Sequence, residues 1–140
     1  MRATFKILRA ALHARAPVML ENPINSMIWI VPSLQKLLSL GAEVITCDQC
    51  QFKAPWRKRT RLALWNCVSK HGLNCRCSGH SGVCSASKKH HIILQGTAPC
   101  GRAWTSLAQH YPKPFAHEIG RVLCVSADEL MMANLRSLAL

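Results

Sequence analysis

A short apolar run that ends in Glu21-Asn22-Pro23 sets the tightest limit on how this chain can fold. Val18, Met19 and Leu20 read as a strand, and the proline stops it, having no amide hydrogen for a ladder and no room in a continuing helix. Glu21 is thereby expected at the tip of a buried strand, where open α/β sheets keep their chemistry. Ser26 then suits the N-cap of a helix whose Met27, Ile30, Leu34, Leu37 and Leu38 recur at helical spacing, with Gly41 as its stop. Pro32 falls inside that pattern and predicts a kink or a late helix start. Val44, Ile45 and Cys47 read as a second strand, and Leu62, Leu64 and Trp65 as a third. A basic loop, Lys53 to Arg61, joins them. The expected fold class is α/β, built as strand, helix, strand, strand with flanking helices.

The order of parts carries a resemblance. Glu21-Asn22-Pro23 is followed by Ser26 and Trp29, then Asp48-Gln49-Cys50-Gln51-Phe52, then Pro55-Trp56-Arg57-Lys58-Arg59-Thr60 with Leu62. A second stretch holds His91-Ile92-Ile93-Leu94-Gln95-Gly96, Trp104, Ala108, Tyr111-Pro112 and a helix around Ile119. Together these resemble the second half of the Rossmann-type domain of cytosine-5 DNA methyltransferases, especially the phage-like and mobile-element-like branch. They cover most of residues 17 to 123. The resemblance implies a partial Rossmann-type sheet of β-α-β-β order. It also implies that Glu21 matches the glutamate that holds a flipped cytosine, the one candidate here for a catalytic residue. A carboxylate that merely accepts hydrogen bonds from its own turn is the competing reading. Lys58 matches an arginine that such enzymes aim at phosphate or at the catalytic pocket, a second arginine position falls on Thr60, and Lys53 stands where glycine is usual.

Much of the family's machinery is missing. Its members bind S-adenosylmethionine on a glycine-rich loop and attack cytosine with a Pro-Cys cysteine upstream of the Glu-Asn turn. No Gly-x-Gly occurs among the seven glycines, and Pro99-Cys100 lies downstream of Glu21. The resemblance therefore implies a half-domain over 1–123, not catalytic alone and with no cofactor expected from this chain alone, followed by a helix or tail over 124–140. A half sheet would leave an open strand edge, for which a second chain is the expected cover.

Charge points to a partner. Lys and Arg number 18 against 6 Asp and Glu, a formal net charge of +12 in 140 residues, which favours anionic partners, nucleic acid first. No acid occurs between Asp48 and Glu118, whereas Lys53, Arg57, Lys58, Arg59, Arg61, Lys70 and Arg76 fall in that gap. Of these, Lys53, Arg57, Lys58, Arg59 and Arg61 are the expected nucleic-acid contacts, with a solvated basic face as the alternative. The first sixteen residues place Arg2, Lys6, Arg9 and His13 beside a stripe of Phe5, Leu8 and Leu12, an amphipathic helix. That pattern suits either a mitochondrial-type targeting segment or a helix leading into the first strand, and the resemblance favours the second. No run reaches the ~20 apolar residues of a membrane span, so a soluble intracellular chain, nuclear or cytoplasmic, with reduced or metal-bound cysteines and no membrane partner is expected.

A Cys/His-rich basic insertion at 68–91 offers candidate metal donors. Cys75, Cys77, His80 and Cys84 offer sulfur and imidazole at short spacings, and tetrahedral zinc takes four such donors. The spacing is not that of a standard zinc finger, and Cys47-x-x-Cys50 is the chain's only C-x-x-C, so a flexible basic loop with incidental thiols stands beside zinc as a reading. Further on, a helix from about Pro114 to Leu123 would bury Phe115, Ile119 and Val122. Ser126-x-x-Glu129 suggests a capping box that opens a separate last helix.

Overall fold

The computed structural model describes residues 2–68 and 72–138, so Lys70 of the basic segment lies outside the described residues. Helix α1 spans Arg2–His13, strand β1 Val18–Pro23, helix α2 Pro32–Leu38, strand β2 Glu43–Asp48 and strand β3 Arg59–Trp65. A short helix α3, Trp104–Leu107, precedes the long helix α4, Lys113–Leu138. Single 3-10 turns occupy Met27–Ile30 and Gln49–Phe52.

The molecule is mixed α/β and follows the expected order of strand, helix, strand, strand. Its sheet is small and antiparallel. β3 is the central strand, antiparallel to β1 and to β2, which are the two edges. β1 and β2 pair with β3 and not with one another. The sequence of β3 explains its place. Leu62 and Leu64 turn to one face while Ala63 and Trp65 turn to the other, and all four are buried, which suits only a strand covered on both sides.

Each face has its own core. On one, Met19, Ile45, Cys47, Leu62 and Leu64 pack against Phe52, Leu73 and the Phe115, Ile119 and Val122 stripe of α4. On the other, Leu20, Ala63 and Trp65 pack against Leu8 of α1, Trp29, and Leu34 and Leu37 of α2. The stripe of α1 is thus packed into the core, with Phe5 and Leu12 beside Leu8. Trp65 Nε1 donates to Leu37 O at 2.9 Å, which locks α2 to the centre of the sheet.

Several sequence expectations are corrected in detail. Pro32 sits at the first position of α2, the late start foreseen, because its missing amide hydrogen is harmless there. Ser26 caps the 3-10 turn Met27–Ile30 that precedes α2, where Met27 and Ile30 are exposed and Trp29 is buried instead. Glu21 lies within β1 opposite Leu62, not at its tip, since the ladder runs on through Pro23 opposite Thr60. Arg59 and Arg61 belong to β3, so the basic loop is shorter than expected. The capping box at Ser126 does not form. α4 is continuous through it, and the buried Ser126 hydroxyl donates to Val122 O at 2.7 Å and accepts from Val68 N at 3.1 Å. Among the described residues, no helix is long and apolar enough to cross a membrane.

Candidate metal centre

β2 ends at Asp48, a heavily bonded buried side chain. It is fully buried and accepts from Arg59 Nε at 2.9 Å, Arg59 Nη2 at 3.0 Å, Arg57 Nε at 3.4 Å and the Cys77 amide at 2.8 Å. Burial pushes its pKa up, but the two guanidinium groups and the amide outweigh this and hold the carboxyl below its usual range. Asp48 N also donates to Cys75 O at 2.9 Å, and Arg57 Nη2 to Cys77 O at 2.9 Å. The 75–77 segment is therefore stapled to the end of β2.

That staple brings Cys77 to the 3-10 turn Gln49–Phe52, which carries Cys50. A tight loop follows, closed by Cys84 N to Lys89 O at 2.8 Å, Lys88 N to Cys84 O at 3.0 Å and the Val83–His90 bridge. As a result one donor atom from each of Cys50, Cys77, Cys84 and His91 lies within 4.8 Å of every other, and the three thiols are buried. This is a donor set that could hold a metal ion. For zinc, with Zn–S of about 2.3 Å and Zn–N of about 2.0 Å, tetrahedral donors sit roughly 3.5–3.8 Å apart. The Cys77 Sγ to His91 Nε2 separation is 3.9 Å.

The surroundings suit ligation. His91 Nδ1 lies 2.9 Å from Gly82 O, and with the proton on Nδ1 this contact presents Nε2 to the thiols. Ser85 donates to Cys77 Sγ from its amide at 3.4 Å and its hydroxyl at 3.5 Å. Burial pushes the Cys77 thiol up, but the Ser85 and Gly79 contacts and the Cys50 thiol bring it down to about 6. Cys84 is likewise lowered, burial being outweighed by Ser87, Ala86 and His91. Burial pushes Cys50 up to about 12. Gly79 is required for the loop to close, because a Cβ there would sit 1.8 Å from Val83 O.

The expected set of Cys75, Cys77, His80 and Cys84 is half of this cluster. Cys77 and Cys84 belong to it. Cys75 turns away, its thiol 3.0 Å from Gly72 O, and packs against the α4-side core. His80 is exposed, and its carbonyl accepts from Val83 N at 2.9 Å. Cys50 and His91 replace them. The overlooked signal is the even run of Cys77, Cys84 and His91, six residues between each pair, with Cys50 arriving from the far end of β2. Its C-x-x-C partner Cys47 lies in the core on the opposite side of the strand end, where burial, with Glu21 and Asp48 nearby, pushes it up to about 12.

The expected nucleic-acid contacts are largely engaged inside the chain. Arg57 and Arg59 hold Asp48. Arg61 lies over the Trp29 ring at 5.3 Å, and Lys58 Nζ donates to Ala108 O at 3.1 Å. Lys53 is exposed in the left-handed conformation at φ 70°, which accounts for glycine suiting this position. Glu21 accepts from Thr60 Oγ1 at 3.1 Å and from the Tyr111 hydroxyl, and the Tyr111 ring lies 6.0 Å from Lys58 Nζ. Carboxylate and basic loop are thus neighbours, with Tyr111 between them.

No known family model, curated protein or solved structure matches this chain.

Proposed function

We propose that the chain is a small zinc-stabilised nucleic-acid-binding module with no catalysis of its own. The convergence of Cys50, Cys77, Cys84 and His91 from two distant parts of the chain supports this reading most directly. Three thiols and one imidazole form a closed set with no fourth position for water, the pattern of structural rather than catalytic zinc. Bound zinc would hold the 75–91 loop against the end of β2 and stabilise a region otherwise built from turns.

Charge supports the nucleic-acid part. With Asp48 buried beneath Arg57 and Arg59, no carboxylate between that residue and Glu118 offsets the remaining cations, among them Arg76, Lys88 and Lys89. The order of Glu21-Asn22-Pro23, the 48–52 corner and the basic loop supports descent from a methyltransferase-like half-domain whose target-side turn now serves as scaffold. Glu21, engaged by Thr60 and Tyr111, would then tie β1 to β3 and to the approach of α4. The two edge strands would suit pairing with a second chain.

The test is binding of the zinc-loaded chain to labelled single- and double-stranded DNA and RNA across a salt series. Affinity that falls steeply with salt is expected. Undetectable binding at low salt would remove the nucleic-acid reading. Calorimetric binding of S-adenosylmethionine would remove the claim that the chain does no methyl-transfer chemistry.

A further inference from the structure

The loop that carries Cys84 and His91 forms one wall of a groove. A cavity of about 650 Å³ lies between the 50–55 corner and the 86–92 arm of the metal loop. This is within the ~300–1,000 Å³ of small-ligand sites. Its apolar lining comes from Ala54, Pro55 and Ile92, and its cationic groups are Lys53 and Lys89, with the His90 imidazole beside them. Among the described residues, no carboxylate lines it. The two walls meet through Ile92 N to Pro55 O at 2.8 Å and through the donor cluster itself, since Cys50 is on one wall while Cys84 and His91 flank the other. A second depression of about 220 Å³ shares the Lys53-Ala54-Pro55 lip and adds Trp56, His110 and Tyr111.

Resting on the reading of the chain as a nucleic-acid-binding module, we infer that this two-part groove is the site for single-stranded nucleic acid. Lys53 and Lys89 contact phosphates along the rim, and bases lie on the apolar lining and against Trp56 and Tyr111. Charge complementarity argues for this occupant. A cationic rim without carboxylates attracts a polyanion, and an apolar lining with aromatic rings beside it favours unpaired bases over the continuous phosphate surface of a duplex. The arginines of the basic loop have internal partners, so the binding cations are the less conspicuous lysines on either side of the cleft. Because one wall is the metal loop, occupation of the donor cluster and strand binding are coupled.

The experiment uses the full chain loaded with zinc and fluorescent dodecamers of deoxythymidine and of uridine, read by anisotropy. Lys53→Ala with Lys89→Ala is expected to weaken binding at least tenfold and to make the salt slope shallower by about 1.4, two phosphates at roughly 0.7 each. Lys36→Ala, on α2, is expected to bind like the parent. Circular dichroism and zinc content establish that each variant is folded and loaded. If the parent binds and the double variant binds equally well, the groove assignment is overturned while the wider reading stands. If duplex DNA binds more tightly than the single strands, the assignment is overturned as well. If the parent binds nothing, the wider reading falls and takes the groove with it.

Discussion

The amide of Cys77 donates a 2.8 Å hydrogen bond to the carboxylate of Asp48, joining a cysteine of the candidate metal cluster to the buried end of a strand 29 residues earlier. The same carboxylate holds Arg57 and Arg59. One acid therefore sets both the shape of the basic loop and the position of a ligand. Asp48→Asn removes the charge while keeping the shape. We expect a loss of about 2–3 kcal/mol in urea unfolding, below the full cost of breaking a buried ion pair because both arginines are partly exposed. Zinc affinity should fall by about 10–100-fold in a chelator competition, the usual effect of disturbing a group behind a ligand. Unchanged zinc affinity would show that the 75–77 segment does not need its staple.

Gly79 is the steric counterpart of that staple. A Cβ there would meet Val83 O at 1.8 Å and Ser85 N at 2.8 Å, both backbone atoms that cannot swing aside. Gly79→Ala should cost at least about 2 kcal/mol or leave the 77–85 loop open, seen as lost zinc stoichiometry with the sheet retained. A variant that binds zinc like the parent would contradict the loop geometry.

Lys53 separates stability from binding. Its left-handed backbone, φ 70°, carries a strain of the order of 1 kcal/mol for a residue with a Cβ. Lys53→Gly should therefore raise the free energy of unfolding by up to about 1 kcal/mol, less the extra entropy glycine brings to the unfolded chain. The same change should weaken binding to the thymidine strand. Clear destabilisation would mean that the lysine stem packs in a way the groove does not require.

Tyr111 closes the space between α4 and the sheet. Its hydroxyl donates to Glu21, and its ring meets Phe115 edge-on at 5.6 Å between centroids. Burial and the neighbouring Glu21 both push its own proton loss well above the ordinary range, so it remains a donor at neutral pH. Tyr111→Phe keeps the ring contact and deletes the bond, for an expected loss of about 1 kcal/mol in urea unfolding. No loss would show that the Tyr111 bond to Glu21 does not contribute to stability, leaving Thr60 as that carboxylate's structural partner.

The strands were legible because their signal is local. Burial on both faces is written in the four consecutive apolar side chains Leu62 to Trp65, and Pro23 and Pro32 mark boundaries by their own chemistry. The order of the strands was less legible, since β3 enters between two earlier strands and no residue announces a ladder partner in advance. The metal centre was half legible for a similar reason. Cys77 and Cys84 lie in one short loop, whereas Cys50 reaches them only after the chain has passed through β3 and back, and Asp48 makes that return. The partners of Arg57 and Arg59 were not legible, because a run of cations looks solvated until the acid beneath it, Asp48, is placed. Ser126 misled in the opposite way, its cap-like spacing belonging to a buried hydroxyl in mid-helix that serves Val68.

Cobalt(II) titration tests the centre of the account, since cobalt reports thiolate ligation and tetrahedral geometry by its colour. The account predicts saturation at one equivalent, with strong thiolate charge-transfer and tetrahedral bands that are lost in Cys50→Ser and His91→Ala and kept in Cys75→Ser and His80→Ala. Absence of those bands in the parent chain, or their survival in Cys50→Ser alongside loss in Cys75→Ser, would contradict it.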